Sequence, residues 1–319
     1  MGREGFQKMD ELELISRLAP TLPRNSSVVI GTGDDCAVLD LGAPDYVLFK
    51  TDAVVEGVHF TKETPPEKIG RKALARCLSD IAAMAGHPNS ALITLALPRS
   101  FEPAFVDGIY AGLNALATEH GVAIVGGETT TNPAGVLISI ALLGTVSKEK
   151  CVLRSGAMTG DAIFATGKLG GSIQTKHLDF EPRVKEALWL RDHFGVHAMI
   201  DLSDGLASDL RHILKASHAG AELLSSAIPI SREAKLAARK ESSSKPPLLA
   251  ALTDGEDFEL LFTVSSKDAV PLVDAWKKKF PGLPLSCIGK ITAEPGLRIR
   301  DKQGVRALNV HGYTHFEKS

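Results

Sequence analysis

The sequence predicts a two-domain α/β (or α+β) protein. Three observations carry this expectation. Apolar, strand-like runs alternate with stretches of helical periodicity along most of the chain. The length of 319 residues exceeds what one layered core ordinarily covers, and suggests two units of roughly 150 residues. Self-similarity at a fixed period of about 20–50 residues is absent, which argues against solenoids and propellers.

Each element follows from local chemistry. A short strand is expected over 27–30 and a longer one over 46–53. A helix over 66–85 has proline near its start and Gly86 behind it, and Ile69, Ala73, Cys77, Ile81 and Ala85 recur at every fourth position. A strand over 90–97 and a second helix over 103–119, closed by Gly121, come next. Strands at 122–126 and 135–146 complete this half. The polar, glycine-containing stretch 147–159 marks the boundary, giving expected domains 1–148 and 149–319. Beyond it, strands are expected at 162–166, 198–201 and 258–264. A third helix begins near Asp204, with Leu206, Leu210, Ile213 and Leu214 on one face. The run ESSSKPP at 241–247 reads as a surface loop.

Composition excludes several function classes. Lys and Arg number 36 against 38 Asp and Glu, so a nucleic-acid binder held by its overall charge is not expected. The four cysteines (Cys36, Cys77, Cys151 and Cys287) lie far apart without a CxxC pair, unlike a zinc ribbon or a disulfide scaffold. A reducing, cytoplasmic setting fits this usage. The first residues, MGREGFQKMDELELI, are charged, and no apolar run approaches 18 residues, so neither a signal peptide nor a membrane span is expected. Phe6 also spoils the myristoylation pattern.

The distribution of charge is more informative than its sum. Asp34 and Asp35 lie in VVIGTGDDCAVLD, where no Lys or Arg occurs between Arg24 and Lys50. Asp52 follows YVLFKT, Glu128 follows AIVGG, and Asp201 and Asp204 lie in AMIDLSDGL. Asp254, Glu256, Asp257 and Glu259 crowd ALTDGEDFELLF. Asp80 falls on the apolar face of its helix, near Cys77 and Met84. A carboxylate there has to be neutralised, paired or metal-bound. Singly, such residues are turn formers or helix caps, and Asp80 could pair with Arg76 one turn away. Jointly they repel, by about 4 kcal/mol for two charges 4 Å apart at an effective dielectric near 20. Several converging on one cleft call for divalent cations, and oxygen donors without His or Cys favour Mg²⁺ or Ca²⁺ over zinc. Magnesium in turn suggests phosphoryl chemistry. The expected cleft is strongly anionic when empty.

Familiar phosphate motifs are missing. GTGDDC has Cys36 where a dinucleotide fingerprint needs its third glycine, and GKLGGS at 167–172 lacks P-loop spacing and reads as a structural turn. No HRD with DFG and no GxSxG elbow occurs.

Seven blocks occur in a telling order: IGTGDDCAVLD, KTDAVVEGVHF, LSDIAAMAGHP, GGETTT, LRSGA, IDLSDGLASDL and GEDFELLFTV. From about Asp10 to Phe316 the chain resembles the thiamine-monophosphate kinases. These belong to a superfamily of ATP-dependent enzymes that includes aminoimidazole ribonucleotide synthetase and selenophosphate synthetase. The resemblance implies an aminoimidazole ribonucleotide synthetase-like fold, in which an N-terminal domain binds ATP and magnesium and pairs into a homodimer. A C-terminal α/β domain closes the active site. It further implies several Mg²⁺ ions on Asp35, Thr51, Asp52, Asp80, Glu128, Asp201 and Asp204, with Lys50 contributing at most its backbone carbonyl. Gly127, Glu128, Arg154 and Ser203 would meet ATP, and His59, Glu256 and Tyr313 would meet thiamine monophosphate.

Two positions depart from the family pattern. Glu128 stands where Asp is usual, and Lys50 where many relatives carry Ser. The expected reaction is direct phosphoryl transfer from ATP to thiamine monophosphate, with no general base because the acceptor is itself a phosphate. Two rivals are a sister synthetase that activates an amide or carbonyl oxygen, and a nucleotide-binding homologue without catalysis.

Overall fold

The computed structural model describes residues 11–240 and 245–313. Most of the expected 241–247 loop, the residues before Glu11 and the last part of the GYxHF ending therefore lie outside the described residues.

The first half contains helix α1 (Glu11–Leu18), strands β1 (Val28–Ile30), β2 (Ala37–Leu39) and β3 (Asp45–Val55), helix α2 (Pro66–Ala83), strand β4 (His87–Leu97), helix α3 (Pro103–His120), and strands β5 (Ala123–Thr131) and β6 (Leu137–Ser147). Its strands form one six-stranded sheet in the order β1-β2-β3-β6-β4-β5. Two long antiparallel pairings, β3 with β6 and β6 with β4, make the centre, and β5 runs parallel to β4 at one edge. Strict alternation along β3 sends Leu48 inward and leaves Phe49 and Thr51 exposed. Helices α2 and α3 cover the inner face. They cross closely, because a Cβ at Gly70 would fall on the Ile109 carbonyl and one at Gly112 on the Glu67 carbonyl.

The second half contains strand β7 (Ala162–Thr166), helix α4 (Val184–His193), strand β8 (Val196–Asp201), helix α5 (Leu206–Ala216), strand β9 (Gly220–Leu224), helices α6 (Arg232–Lys240) and α7 (Pro247–Thr253), strand β10 (Leu260–Val264), helix α8 (Ala269–Lys279), and strands β11 (Leu285–Thr292), β12 (Gly296–Asp301) and β13 (Gly304–Ala307). They build a seven-stranded sheet in the order β13-β12-β9-β11-β7-β10-β8, antiparallel except for β12 beside β9. The central strands β7 and β10 are buried throughout. Leu206, Leu210 and Ile213 of α5 pack with Ile163, Ile200 and Leu261 in a core of their own. Phe164, Met199 and Phe262 instead join a core shared with the first half, which includes Leu74, Leu78 and Ile81 of α2. Helix α2 is thus buried from both sides.

The expected elements are present with shifted ends. The strand expected at 122–126 continues through GGETTT to Thr131, because parallel pairing with β4 satisfies a backbone whose side chains give no apolar signal. Strands β9 and β11–β13 were not expected from the sequence. Their charged residues, such as Glu222, Arg298, Arg300 and Arg306, interrupt any apolar run.

Candidate active site

Helix α2 organises the cleft. Lys72, Arg76 and Asp80 recur every four residues and form one charged stripe on a buried helix. Strand β3 brings Lys50 and Asp52 on its inner face, the β1–β2 turn brings Asp34 and Asp35, and the end of β8 brings Asp201. Three of these meet. One carboxylate oxygen each from Asp35, Asp80 and Asp201 lies within 4.8 Å of the others. All three residues are buried, at 2%, 6% and 3% exposure.

Cations adjoin this trio, while the cleft as a whole stays acidic, with Glu11, Asp52, Asp80, Asp201, Asp204 and Asp209 outnumbering Lys50, Arg76 and Arg154. Arg154 donates to Asp35 through Nη2 (2.7 Å) and Nε (3.3 Å). The Lys50 ammonium lies 3.0 Å from Asp80. Arg76 takes Asp52, not Asp80 as one reading of the helix had suggested, through Nε (3.0 Å) and Nη2 (3.2 Å), and reaches Glu256 with Nη1 (3.2 Å). Ser79 donates to Asp201 at 2.7 Å. Sequence distance concealed these partners, since 119 positions separate Arg154 from Asp35 and 24 separate Arg76 from Asp52.

The carboxylates respond to this setting in different ways. Burial pushes the Asp80 carboxyl well up, and Asp201, Asp52 and Asp35 add to this against the pull of Lys50. Asp201 is raised by burial and by Asp35. Asp34, half-buried and beside Asp35, is pushed up to about 6 by desolvation and then by Asp35, although it accepts the Arg154 amide. Burial works against ionised Asp52 too, but Arg76 and Lys50 hold it below the usual carboxylate range. A trio of buried, mutually repelling oxygens is the donor set that a hard divalent cation would relieve.

Asp80 and Asp201 of the trio line a cavity of about 330 Å³, together with Asp52, Arg154, Ser203, Asp204 and Tyr313. A smaller adjoining cavity of about 130 Å³ is lined by His59, Arg76, Ser203, Asp204, Glu256 and Tyr313. The three residues expected to meet the substrate thus share one pocket, with Arg76 between it and the acidic trio. Val55 donates its amide to His59 Nδ1 at 3.1 Å, which places the proton of the neutral ring on Nε2. Burial first, then Arg76, holds this imidazole down to about 4. Glu256 sits at φ 68°, a left-handed conformation that costs a non-glycine residue about 1–2 kcal/mol. Lys72, Arg76 and His177 hold it there. Burial would raise its carboxyl, yet these partners bring it down to about 2.

Several expected residues are not brought to the trio. Thr51 points to the opposite sheet face, where its hydroxyl lies 3.4 Å from Ser139. Gly127 and Glu128 lie on the exposed edge strand β5 and line neither cavity, Glu128 standing in register with Thr94. Asp204 lines both cavities without joining the trio. The Lys50 side chain, expected to play no part, is the neighbour of Asp80. At the start of α5, the amides of Asp204 and Gly205 donate to the buried Asp209 carboxylate, both at 3.1 Å. GKLGGS is a structural turn, as expected. Gly170 donates to Asp257 (2.9 Å), Gly171 to Asp254 (3.0 Å), and the Ser172 hydroxyl to Asp257. Lys72, His177 and Asp209 went unrecognised in the sequence, and Arg76 was considered only as a partner of Asp80. A cationic stripe every four residues on an otherwise apolar helix was the available signal for Lys72 and Arg76.

Known proteins are similar to this chain in sequence and fold. Residues 33–146 match the model for the AIR synthase related protein N-terminal domain, and residues 159–302 match that for the C-terminal domain. A thiamine-monophosphate kinase from Rhodopirellula baltica is 42% identical over 279 residues, 85% of each chain. One from Escherichia coli K12 is 35% identical over 91% of this chain and 92% of its own. The solved structure of AaThiL complexed with AMPPCP and TMP superposes with a TM-score of 0.82 at 28% identity, covering 98% of this chain and 99% of that one. A match of this extent, through both domains, makes the chain a member of the thiamine-monophosphate kinase family, on the AIR synthase related fold.

Proposed function

We propose that the protein transfers the γ-phosphoryl group of ATP to thiamine monophosphate, giving thiamine diphosphate and ADP. The observation that carries this is the junction of two cavities in a member of this family: one lined by Asp80 and Asp201 of the acidic trio, the other by His59, Glu256 and Tyr313. The acceptor phosphate, with a second pKa near 6, is mostly dianionic at neutral pH and needs no general base. The difficulty is bringing two anions into line, so positioning and charge neutralisation supply the catalysis.

Asp35, Asp80 and Asp201 would hold Mg²⁺, with Asp52 and Asp204 at the rim of the same cavity. Bound there, magnesium would neutralise and orient the phosphates. Arg154, now on Asp35, presents a fork of donors suited to nucleotide phosphate, and Ser203 lines the same cavity. His59 offers a neutral Nε2–H in the smaller pocket, and Glu256, kept ionised by Lys72 and Arg76, offers a carboxylate suited to a cationic thiamine ring. The shared core beneath α2 supports a division of labour between 1–148 and 149–319, with the site at their junction.

A homodimer and a cytoplasmic setting belong to the same reading. Phe49, Leu92, Val125 and Leu143 are exposed on the sheet of the first half, an apolar surface suited to a second copy. None of the four cysteines forms a disulfide, and among the described residues no helix is long and apolar enough to cross a membrane. The purified protein, given ATP and thiamine monophosphate, should yield thiamine diphosphate with Mg²⁺ and lose that activity with EDTA. ATP binding without transfer to this acceptor would overturn the reading.

A further inference from the structure

Lys50 lies where a basic side chain is least expected. It follows Phe49 on β3, and strand alternation turns it away from the exposed face and into the cleft. Its side chain is 24% exposed and that of Asp80 9%, with 3.0 Å between the charges. Arg76 is committed to Asp52 and Glu256, and Arg154 to Asp35. Among the described residues, Lys50 is therefore the cation in direct ion-pair contact with Asp80. The trio carries three carboxylates against two adjoining cations, Lys50 and Arg154. Removing the Lys50 charge would leave two unbalanced negative charges in a buried space, a match for one divalent ion.

We propose that Lys50 is a tethered cation that competes with the divalent metal for Asp80 and thereby sets the metal affinity of the site. An ammonium only donates, so each Asp80 lone pair it engages is withheld from a metal ion, and its charge repels the incoming cation. The ammonium sits against Asp80, and Asp52 lies two residues further along the same strand face. The pair also keeps Asp80 compensated while the metal is away. This inference rests on the reading of the trio as the magnesium site.

Mn²⁺ binding tests it apart from turnover. The metal-free protein, Lys50→Met and Lys50→Ser would be titrated with Mn²⁺, following free Mn²⁺ by electron paramagnetic resonance, with melting temperatures taken in EDTA and in saturating Mn²⁺. Both variants should bind Mn²⁺ at least fivefold more tightly than the parent. They should melt lower in EDTA and recover more on adding Mn²⁺, whereas Lys50→Arg should behave as the parent does. Asp201→Asn should weaken binding in the parent and in Lys50→Met, locating the ion at the trio. Unchanged or weaker affinity in the Lys50 variants overturns the inference, as does a Mn²⁺ affinity indifferent to Asp201→Asn. Thiamine diphosphate formation by the unaltered protein reports separately on the kinase reading.

Discussion

Glu259 and the trio of Asp35, Asp80 and Asp201 are both buried, and they are built differently. Immediately before β10, Glu259 is saturated: Arg183 grips both oxygens at 2.8 and 2.9 Å, Lys176 lies at 3.1 Å, and Thr166 donates at 2.8 Å. Burial works against its charge, but Arg183 and Lys176 bring its carboxyl below the usual range. Asp35, Asp80 and Asp201 instead face one another, and burial with mutual repulsion raises Asp80 and Asp201. Protein donors complete a structural carboxylate. A functional cluster keeps oxygen lone pairs aimed at a shared space and tolerates the electrostatic cost of doing so.

The comparison breaks most directly at Asp201. Asp201→Asn removes a charge from the cluster without stranding a cation, since Ser79 is its hydrogen-bond partner. Turnover should fall by about 10³-fold, in line with loss of a group that stabilises developing charge. The melting temperature in EDTA should hold or rise as repulsion is relieved. Turnover near that of the parent would remove the trio from catalysis.

Glu259→Gln should do the reverse. Stranding Arg183 and Lys176 in a buried site should cost about 3 kcal/mol of stability, measured by urea unfolding. The folded-state pKa of Glu259 lies below its unfolded value of about 4.3, so its stabilisation is present above that pH and lost as pH falls below it. The gap between parent and variant should therefore narrow between pH 6 and pH 3. A constant gap would mean that Glu259 acts through packing.

Arg76 joins the two cavities. Arg76→Lys keeps the charge but cannot reach Asp52 and Glu256 together. The KM for thiamine monophosphate should rise about tenfold, or roughly 1.4 kcal/mol, with a smaller change in kcat. An effect confined to kcat would move Arg76 from substrate positioning to the phosphoryl transfer itself. Glu128→Gln is the mildest test. Because Glu128 lies on exposed β5, away from the trio, its loss of turnover should be at least tenfold smaller than that of Asp201→Asn. Equal losses would place Glu128 among the metal ligands.

Much of this was legible in the residues alone. The alternation of apolar runs, the proline and glycine that bound α2, and the acidic blocks at strand ends specify the two-domain α/β class and flag Asp35, Asp80 and Asp201 within a larger acidic set that includes Asp34, Asp52, Glu128 and Asp204. These are local signals, carried by propensity, periodicity and the high cost of burying a bare carboxylate. His59, Glu256 and Tyr313 came from resemblance, and the fold gathers them in one pocket.

What only the tertiary structure decided is where the countercharges lie. Lys50, Arg76 and Arg154 meet Asp80, Asp52 and Asp35 across strands, helices and the junction of the two halves. Thr51 and Asp52 are adjacent in the chain, but the pleat of β3 puts them on opposite faces. Coulomb interactions depend on separation in space, not along the chain, and the net charge of -2 carries no information about that separation.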